Sequence, residues 1–109
     1  MKKLVTFTAF TCLLAAGPLL AGDAKAIYDK ECTKCHGADG KGDTKMGTKL
    51  GAKDYSDPKV QAAVSDAAAF KAIKEGFKAK EGKTLMKPTE GVSDADINAV
   101  VAYMRTFKK

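Results

Sequence analysis

The most reactive side chains of this sequence are concentrated in one stretch, CTKCHG, residues 32–37. Cys32 and Cys35 are separated by two residues, and His36, the single histidine of the chain, follows directly. Thiols and imidazoles in such a cluster bind metals, exchange disulfides or form thioethers. Three chemistries therefore fit the stretch: covalent attachment of a haem, thiol–disulfide exchange, and a structural zinc site.

The order Cys-x-x-Cys-His is a signature of covalent haem attachment. Each thiol would add to one vinyl group of the haem, and His36 would then offer a ring nitrogen to the iron. A redox Cys-x-x-Cys pair usually follows a strand, whereas the preceding residues, DAKAIYDKE, favour a helix. A structural zinc ion needs four ligands, and the motif supplies three. The pattern therefore favours haem over the two alternatives.

A haem iron bound by one histidine takes a sixth ligand or keeps an open face. Without a second histidine, a methionine thioether is the candidate, since it suits the iron and raises its reduction potential. Met86 is favoured, because it lies in the irregular stretch GKTLMKPTEG, fifty residues after His36, where a loop can cover the far face. Met46 follows His36 too closely, and Met104 falls in a strongly helical stretch. Filling a gap in the core is the competing role for Met86.

The composition indicates a core that a cofactor must complete. The chain has 109 residues, no tryptophan and 7% aromatic residues. Domains of this size often need a metal, a staple or a cofactor. The net charge is +6, and lysine supplies nearly all of the positive charge. We do not expect nucleic acid as a partner, since aromatic residues are not interleaved with the lysines.

Apolar spacing and capping residues predict four helices. The first covers residues 23 to about 35. The second begins at Asp57-Pro58 and runs to about residue 64, because proline suits the first helical position. The third follows Ser65 or Asp66 and ends near Gly76. Its predicted apolar face consists of Phe70, Ile73 and Phe77.

The last helix is the clearest element of the sequence. Ser93 and Asp96 form a capping box, and the apolar residues that follow at helical spacing are Ile97, Val100, Val101, Met104 and Phe107. Residues 37–56, by contrast, carry five glycines without an apolar period and predict a long loop, for which wrapping a cofactor would be a reason. We therefore predict an all-α domain of about four helices and long loops around one covalently bound haem.

The first 21 residues are predicted to be a secretory signal peptide. Lys2 and Lys3 give a positive start, residues 4–16 are uncharged and mostly apolar, and Ala21 fits a cleavage position. The apolar run is too short for a spanning helix, which needs roughly 20 apolar residues. We therefore expect an exported, periplasmic protein with one domain over residues 22–109 and no stable membrane insertion.

With these motifs in this order, the chain resembles a class I monohaem cytochrome c of the small bacterial type. The resemblance covers essentially the whole mature sequence. It rests on Tyr28 four residues before the first cysteine, on CTKCHG and GADGKG, on MKP, and on the terminal helix VSDADINAVVAYMRTF. It implies one haem c attached through Cys32 and Cys35, with His36 and Met86 as the axial iron ligands.

The resemblance also implies that the first and last helices cross near the haem, with Tyr28 and Tyr103 close to the crossing. Two positions depart from the family pattern. Ala24 replaces a frequent glycine, which predicts a slightly wider crossing. Thr48 replaces a proline whose carbonyl often accepts the imidazole N–H, so the carbonyl of Thr48 is expected to orient His36.

The function implied by the resemblance is single-electron transfer, since two axial ligands leave no open site for a substrate. The alternatives are a gas-binding or peroxidase-like haem protein, if Met86 does not bind the iron, and thiol–disulfide exchange by the two cysteines. The expected partners are redox proteins with acidic docking surfaces. The lysines on loops expected to border the haem are Lys34, Lys41, Lys45, Lys49, Lys53, Lys78, Lys80, Lys83 and Lys87.

Overall fold

The computed structural model describes residues 21–109, with side chains from Asp23 onward. The predicted signal peptide lies outside the described residues except for Ala21. The elements in chain order are α1 (Ala21–Glu31), α2 (Thr33–His36), α3 (Lys45–Leu50), α4 (Pro58–Ala63), α5 (Asp66–Glu75), β1 (Phe77–Lys78), β2 (Thr84–Met86) and α6 (Asp94–Arg105). The all-α class is thereby confirmed, with a small hairpin added.

Three predicted helices begin where their capping residues stand in the sequence. The side chain of Asp57 accepts a hydrogen bond from the first turn of α4, and Pro58 is its first residue. Ser65 caps α5 in the same way. At α6 the reciprocal bonds of the Ser93–Asp96 capping box are both present. Each cap satisfies backbone N–H groups that have no partner within the helix.

The first predicted helix is divided in the structure. It breaks at Cys32, and α2 then continues as one short turn that ends at His36. The hydroxyl of Thr33 donates to the backbone carbonyl of Asp29 across this break. The two segments together therefore occupy the span that was predicted as one helix.

The predicted loop over residues 37–56 contains a helix, α3, so the prediction of continuous loop there is wrong. Thr44 caps the start of α3 by accepting from the backbone N–H of Gly47. Gly51 ends it with a φ of 75°, in the left-handed conformation that glycine adopts without strain. The segment 37–56 carries five glycines, and this six-residue helix is too short to show an apolar period, so its two caps, Thr44 and Gly51, were the remaining signal.

The hairpin of β1 and β2 corrects the prediction for Phe77. This residue was expected on the apolar face of the third helix, but Gly76 ends α5 with a φ of 84° and turns the chain into β1. A side chain at Gly76 would also meet the carbonyl oxygen of Met86 at 2.7 Å. Phe77 pairs with Met86 across the hairpin and remains 55% exposed.

The centre of the fold is the crossing of α1 with α6. Tyr28 is fully buried there, and its ring centroid lies 5.4 Å from that of Tyr103 and 5.1 Å from that of Phe107. Such aromatic pairs contribute about 0.5–1.5 kcal/mol each beyond the area they bury. The predicted position of Tyr28 and Tyr103 at the crossing is confirmed, and Ala24 is buried in α1. Gly40 must be a glycine, because its Cβ would lie 2.5 Å from the Phe107 ring.

The apolar core of the described residues is small. The buried apolar residues are Ala24, Tyr28, Cys32, Ile73, Ile97, Val100 and Val101. Half-buried side chains from α5, β2 and α6 surround them, Met86 and Met104 included. In residues 21–109, no helix has both the length and the apolar character that a membrane crossing requires.

Candidate functional site

The two cysteines lie where α1 passes into α2. Cys32 is buried and Cys35 half-buried, and no disulfide joins the two. Burial raises the pKa of the Cys32 thiol to about 11, and the nearby Glu31 adds to the effect. Thiol–disulfide exchange needs an accessible thiolate with a lowered pKa. The environment of Cys32 therefore opposes exchange chemistry and suits a thiol that is consumed in a covalent bond.

The imidazole of His36 is held at the end of α2 in its neutral form, because burial lowers its pKa. Its Nδ1 is buried, and no group of residues 23–109 donates to it or accepts from it. The expected hydrogen bond from His36 to the carbonyl of Thr48 is therefore not formed. Thr48 lies inside α3, where carbonyl groups align with the helix axis. A neutral imidazole keeps a ring lone pair, which is the form that binds a metal.

A cleft opens beside His36, with about 340 Å³ of empty space that is partly open to solvent. The ring of Tyr55 faces the imidazole across it at 5.7 Å between centroids. The remaining walls come from α5, β2 and α6 and are apolar. The lining residues are Cys32, His36, Tyr55, Ala69, Ala72, Ile73, Met86 and Met104.

Two of the candidate methionines reach this cleft. Met86 lines it from β2, and Met104 lines it from α6. Met46, on α3, is not among the residues of the described chain that line it. The fold therefore brings together the first cysteine, the histidine and two thioethers that are separated by up to 72 positions in sequence.

These residues fit a covalently attached haem. The buried Cys32 and the half-buried Cys35 supply two thiols, and the neutral imidazole of His36 supplies a nitrogen donor. The apolar lining suits a macrocycle, and a thioether is a common second axial ligand. Within residues 23–109, no group of three or more histidine, cysteine or acidic side chains could hold a different metal ion.

Thr44 anchors the attachment motif and was not singled out from the sequence. Its hydroxyl lies 2.9 Å from the carbonyl oxygen of Lys34 and 2.8 Å from that of Cys35. Tyr28 anchors the other side, since its hydroxyl donates to the carbonyl of Gly37 at 2.6 Å. The sequence carried one indication of Thr44. A threonine can cap a helix by accepting a hydrogen bond from a backbone N–H three residues later, here that of Gly47.

Gly47 packs against the same motif so closely that a methyl group has no room. A Cβ at this position would overlap the carbonyl oxygen of Cys35 and lie 2.6 Å from that of Gly42. We expect Gly47→Ala to destabilise the haem-loaded protein by about 1–3 kcal/mol, because packed backbone must move. Thermal unfolding measures this loss.

Thr48→Ala is the matched control for Gly47→Ala, because Thr48 is exposed on the same short helix. Its effect should stay within about 0.5 kcal/mol. An alanine normally stabilises a helix relative to glycine by roughly 0.5–1 kcal/mol. A Gly47→Ala protein that melts at or above the wild-type temperature would therefore contradict the close approach.

A buried glutamine ties two walls of the cleft together. Gln61, 6% exposed, donates through Nε2 to the carbonyls of Tyr55 at 2.6 Å and Met104 at 2.9 Å. Arg105 in turn donates to Gln61 Oε1 at 2.8 Å and to the Val64 carbonyl at 2.5 Å. No spacing rule pointed to Gln61, because its partners are distant in sequence.

Comparisons with known proteins identify the family of this chain. A family model described as cytochrome c matches residues 21–108. Among solved structures, the KustC0563 c-type cytochrome has a TM-score of 0.69 and 34% sequence identity, with 80% of this chain and 99% of that chain covered. A tyrosine-to-phenylalanine mutant of Kustc0563 has a TM-score of 0.66 and 32% identity, with 79% and 99% covered. No curated protein matches.

The family match spans nearly all the described residues, and the structural match covers the whole of a c-type cytochrome. The two thiols, the neutral imidazole and the apolar cleft are the features such a protein needs. The chain belongs to the cytochrome c family and carries one covalently bound haem c.

Proposed function

We propose that this protein is an exported single-electron carrier in which His36 and Met86 are the axial iron ligands. The observation that carries the proposal is the cleft, which has Cys32, His36 and Met86 in its lining. When bound, the haem supplies a one-electron couple at its iron. The predicted signal peptide adds the periplasmic location, where covalent attachment keeps the haem from being lost.

Each of these residues has a separate role in the proposal. Cys32 and Cys35 hold the haem by thioether bonds, and His36 binds from the side of α2. Met86, from β2, would supply the second iron ligand, which would leave oxygen, carbon monoxide and peroxide no position on the iron to occupy. The apolar side chains of Ala72 and Ile73 keep water away. In this proposal the two iron ligands keep their positions when the iron changes oxidation state, so the reorganisation energy of electron transfer stays small.

The visible spectrum of the purified periplasmic protein tests this function. We expect sharp bands in the reduced form that carbon monoxide does not change. Bands that shift with carbon monoxide would show an accessible iron and would favour the gas-binding or peroxidase-like alternative. The absence of haem bands in a host able to attach haem would return Cys32 and Cys35 to thiol chemistry. The mass of the exported protein should equal the chain from Gly22 plus one haem.

Nine lysines on α2, on α3, on the loops and on the hairpin form the lysine belt of this proposal. Eight of them are exposed, and Lys41 is half-buried beside Asp39. Their excess positive charge favours redox partners with acidic docking surfaces, since complementary charge accelerates the encounter. The belt comprises Lys34, Lys41, Lys45, Lys49, Lys53, Lys78, Lys80, Lys83 and Lys87.

The lysine belt predicts how electron transfer responds to salt. The second-order rate with an acidic protein partner should fall by at least about tenfold between 10 mM and 0.5 M ionic strength, because salt screens the attraction. Stopped-flow mixing with reduced flavodoxin, a small acidic flavoprotein, measures it. An uncharged small reductant serves as the control and should show little change. If the second-order rate with flavodoxin does not change with ionic strength, the lysine belt does not attract the partner.

A further inference from the structure

The hairpin next to the cleft carries the one large apolar side chain that is exposed among the described residues. Phe77 is 55% exposed at the start of β1. It is paired with Met86 in the antiparallel register, with an irregularity just after this pair. Directly opposed residues of an antiparallel pair share one face of the sheet. Met86 lines the cleft, and Phe77 stands directly opposite Met86 in the hairpin without being part of the lining.

The same hairpin is strongly cationic. Between Phe77 and Pro88 stand four exposed lysines and one exposed acid, Glu81. We define the hairpin patch as Phe77 together with Lys78, Lys80, Lys83 and Lys87. An aromatic side chain within a run of exposed lysines resembles an apolar interface anchor with a polar rim. One exposed phenylalanine is ordinary on a protein surface. What distinguishes Phe77 is its position opposite Met86 within a run of exposed lysines.

We propose that the hairpin patch is the contact surface for the redox partner, with Phe77 as its apolar anchor. The partner surface that fits is an apolar depression surrounded by carboxylates, on a redox protein. This inference rests on the proposed electron-carrier function and specifies its partner. The lysines attract the partner electrostatically, and Phe77 fixes the docked position beside Met86.

Charge and area distinguish this partner from two others. A second copy of the chain would oppose four lysines with the same four lysines, and like charges repel at close range. A membrane surface would gain little from one aromatic side chain, because stable attachment needs a larger apolar area or a second anchor. An acidic protein with a matching pocket satisfies both the positive rim and the single apolar anchor.

The test compares Phe77→Ala and Phe77→Leu in the haem-loaded protein, with flavodoxin as the probe. We expect Phe77→Ala to lower the second-order rate with reduced flavodoxin about tenfold and to weaken binding of oxidised flavodoxin by a similar factor in an NMR titration. Phe77→Leu keeps most of the apolar area and should stay within about threefold of the wild type. The effect of Phe77→Ala should persist at 0.5 M ionic strength, unlike the effect of charge.

Charge variants provide the matched comparison. Lys80→Gln with Lys83→Gln removes two charges from the hairpin patch, and Lys59→Gln with Lys71→Gln removes two exposed charges from α4 and α5. The first pair should lower the flavodoxin rate at 10 mM ionic strength at least fivefold more than the second. Equal effects of the two pairs would overturn the assignment of the surface.

Further outcomes separate this inference from the function on which it rests. If Phe77→Ala leaves both the flavodoxin rate and its binding unchanged while the wild type transfers electrons rapidly, the patch is wrong and the carrier function stands. If the wild type does not reduce and reoxidise with small reagents or flavodoxin, the function itself fails. Binding to vesicles of phosphatidylglycerol and phosphatidylcholine that depends on Phe77, or Phe77-dependent dimers in sedimentation, would also overturn the proposal.

Discussion

Without its haem, the chain is expected to be largely unfolded. The buried apolar core of the described residues has seven members, and only Tyr28, Ile97 and Val100 are large and completely buried. Removing the haem exposes the apolar walls of the cleft to water. A domain this small has little other burial to offset the conformational entropy of folding. Far-UV circular dichroism of the haem-free chain over residues 22–109 measures the loss of helix.

The holoprotein is the reference for this experiment, and it should melt in one cooperative transition. A variant with Cys32→Ala and Cys35→Ala, produced with the intact attachment system, should behave like the haem-free chain unless haem is added. A compact haem-free form with full helical content and cooperative melting would contradict the expectation. The seven buried residues would then be sufficient by themselves, and the cleft would be preformed.

Substitution of Met86 by alanine should open the iron to external ligands. Carbon monoxide should then shift the bands of the reduced protein, which we expect it to leave unchanged in the wild type. The reduction potential should also fall by ~0.1–0.3 V, a part of the roughly 0.8 V range that axial ligands cover, because the thioether stabilises the reduced iron. Spectra with and without carbon monoxide, together with a potentiometric titration, test both effects.

Met104→Leu and Met46→Leu are the matched controls for Met86→Ala. Met104 lines the same cleft, so Met104→Leu removes the second thioether and preserves the packing volume. Met46→Leu alters a half-buried methionine on α3. Neither should admit carbon monoxide. If Met104→Leu opens the iron and Met86→Ala does not, Met104 is the ligand. If neither does, the sixth ligand is not a methionine of the cleft.

The network around Gln61 explains how the cleft keeps its shape. Gln61 links the loop of Tyr55 to the end of α6, and the guanidinium of Arg105 holds the glutamine in place. The backbone N–H of Lys109 also donates to the carbonyl of Ser56, which fastens the last residue to the same loop. Hydrogen bonds between buried polar groups are costly to lose, so this network rigidifies one wall of the cleft.

Features that depend on short stretches of chain were predictable from the sequence. The attachment motif joins Cys32, Cys35 and His36 within one turn, so no distant contact is needed to bring them together. The helix starts at Asp57 and Ser93 follow from side chains that bond backbone groups two or three residues away. The apolar spacing of α6 likewise identified Ile97, Val100 and Val101, which are all buried.

Features that depend on distant contacts were decided by the tertiary structure. The helix α3 forms within the glycine-rich segment 37–56, because Thr44 bonds the attachment motif and Gly47 packs on the carbonyl of Cys35. Phe77 leaves the face of α5 because Gly76 turns the chain and β1 pairs with β2. Helical periodicity contains no information about either contact.

The sequence by itself determined the family and the cofactor, and it predicted the residues of the attachment motif, since these depend on residue type and local spacing. The tertiary structure decided which walls enclose the cleft, that Met86 and Met104 reach it while Met46 does not, and that Thr48 gives His36 no hydrogen bond. The physical reason is the range of the interactions. Caps and motifs act within a few residues, whereas the cleft is assembled from the α1–α2 junction, the loop of Tyr55, α5, β2 and α6, whose packing only the folded chain defines.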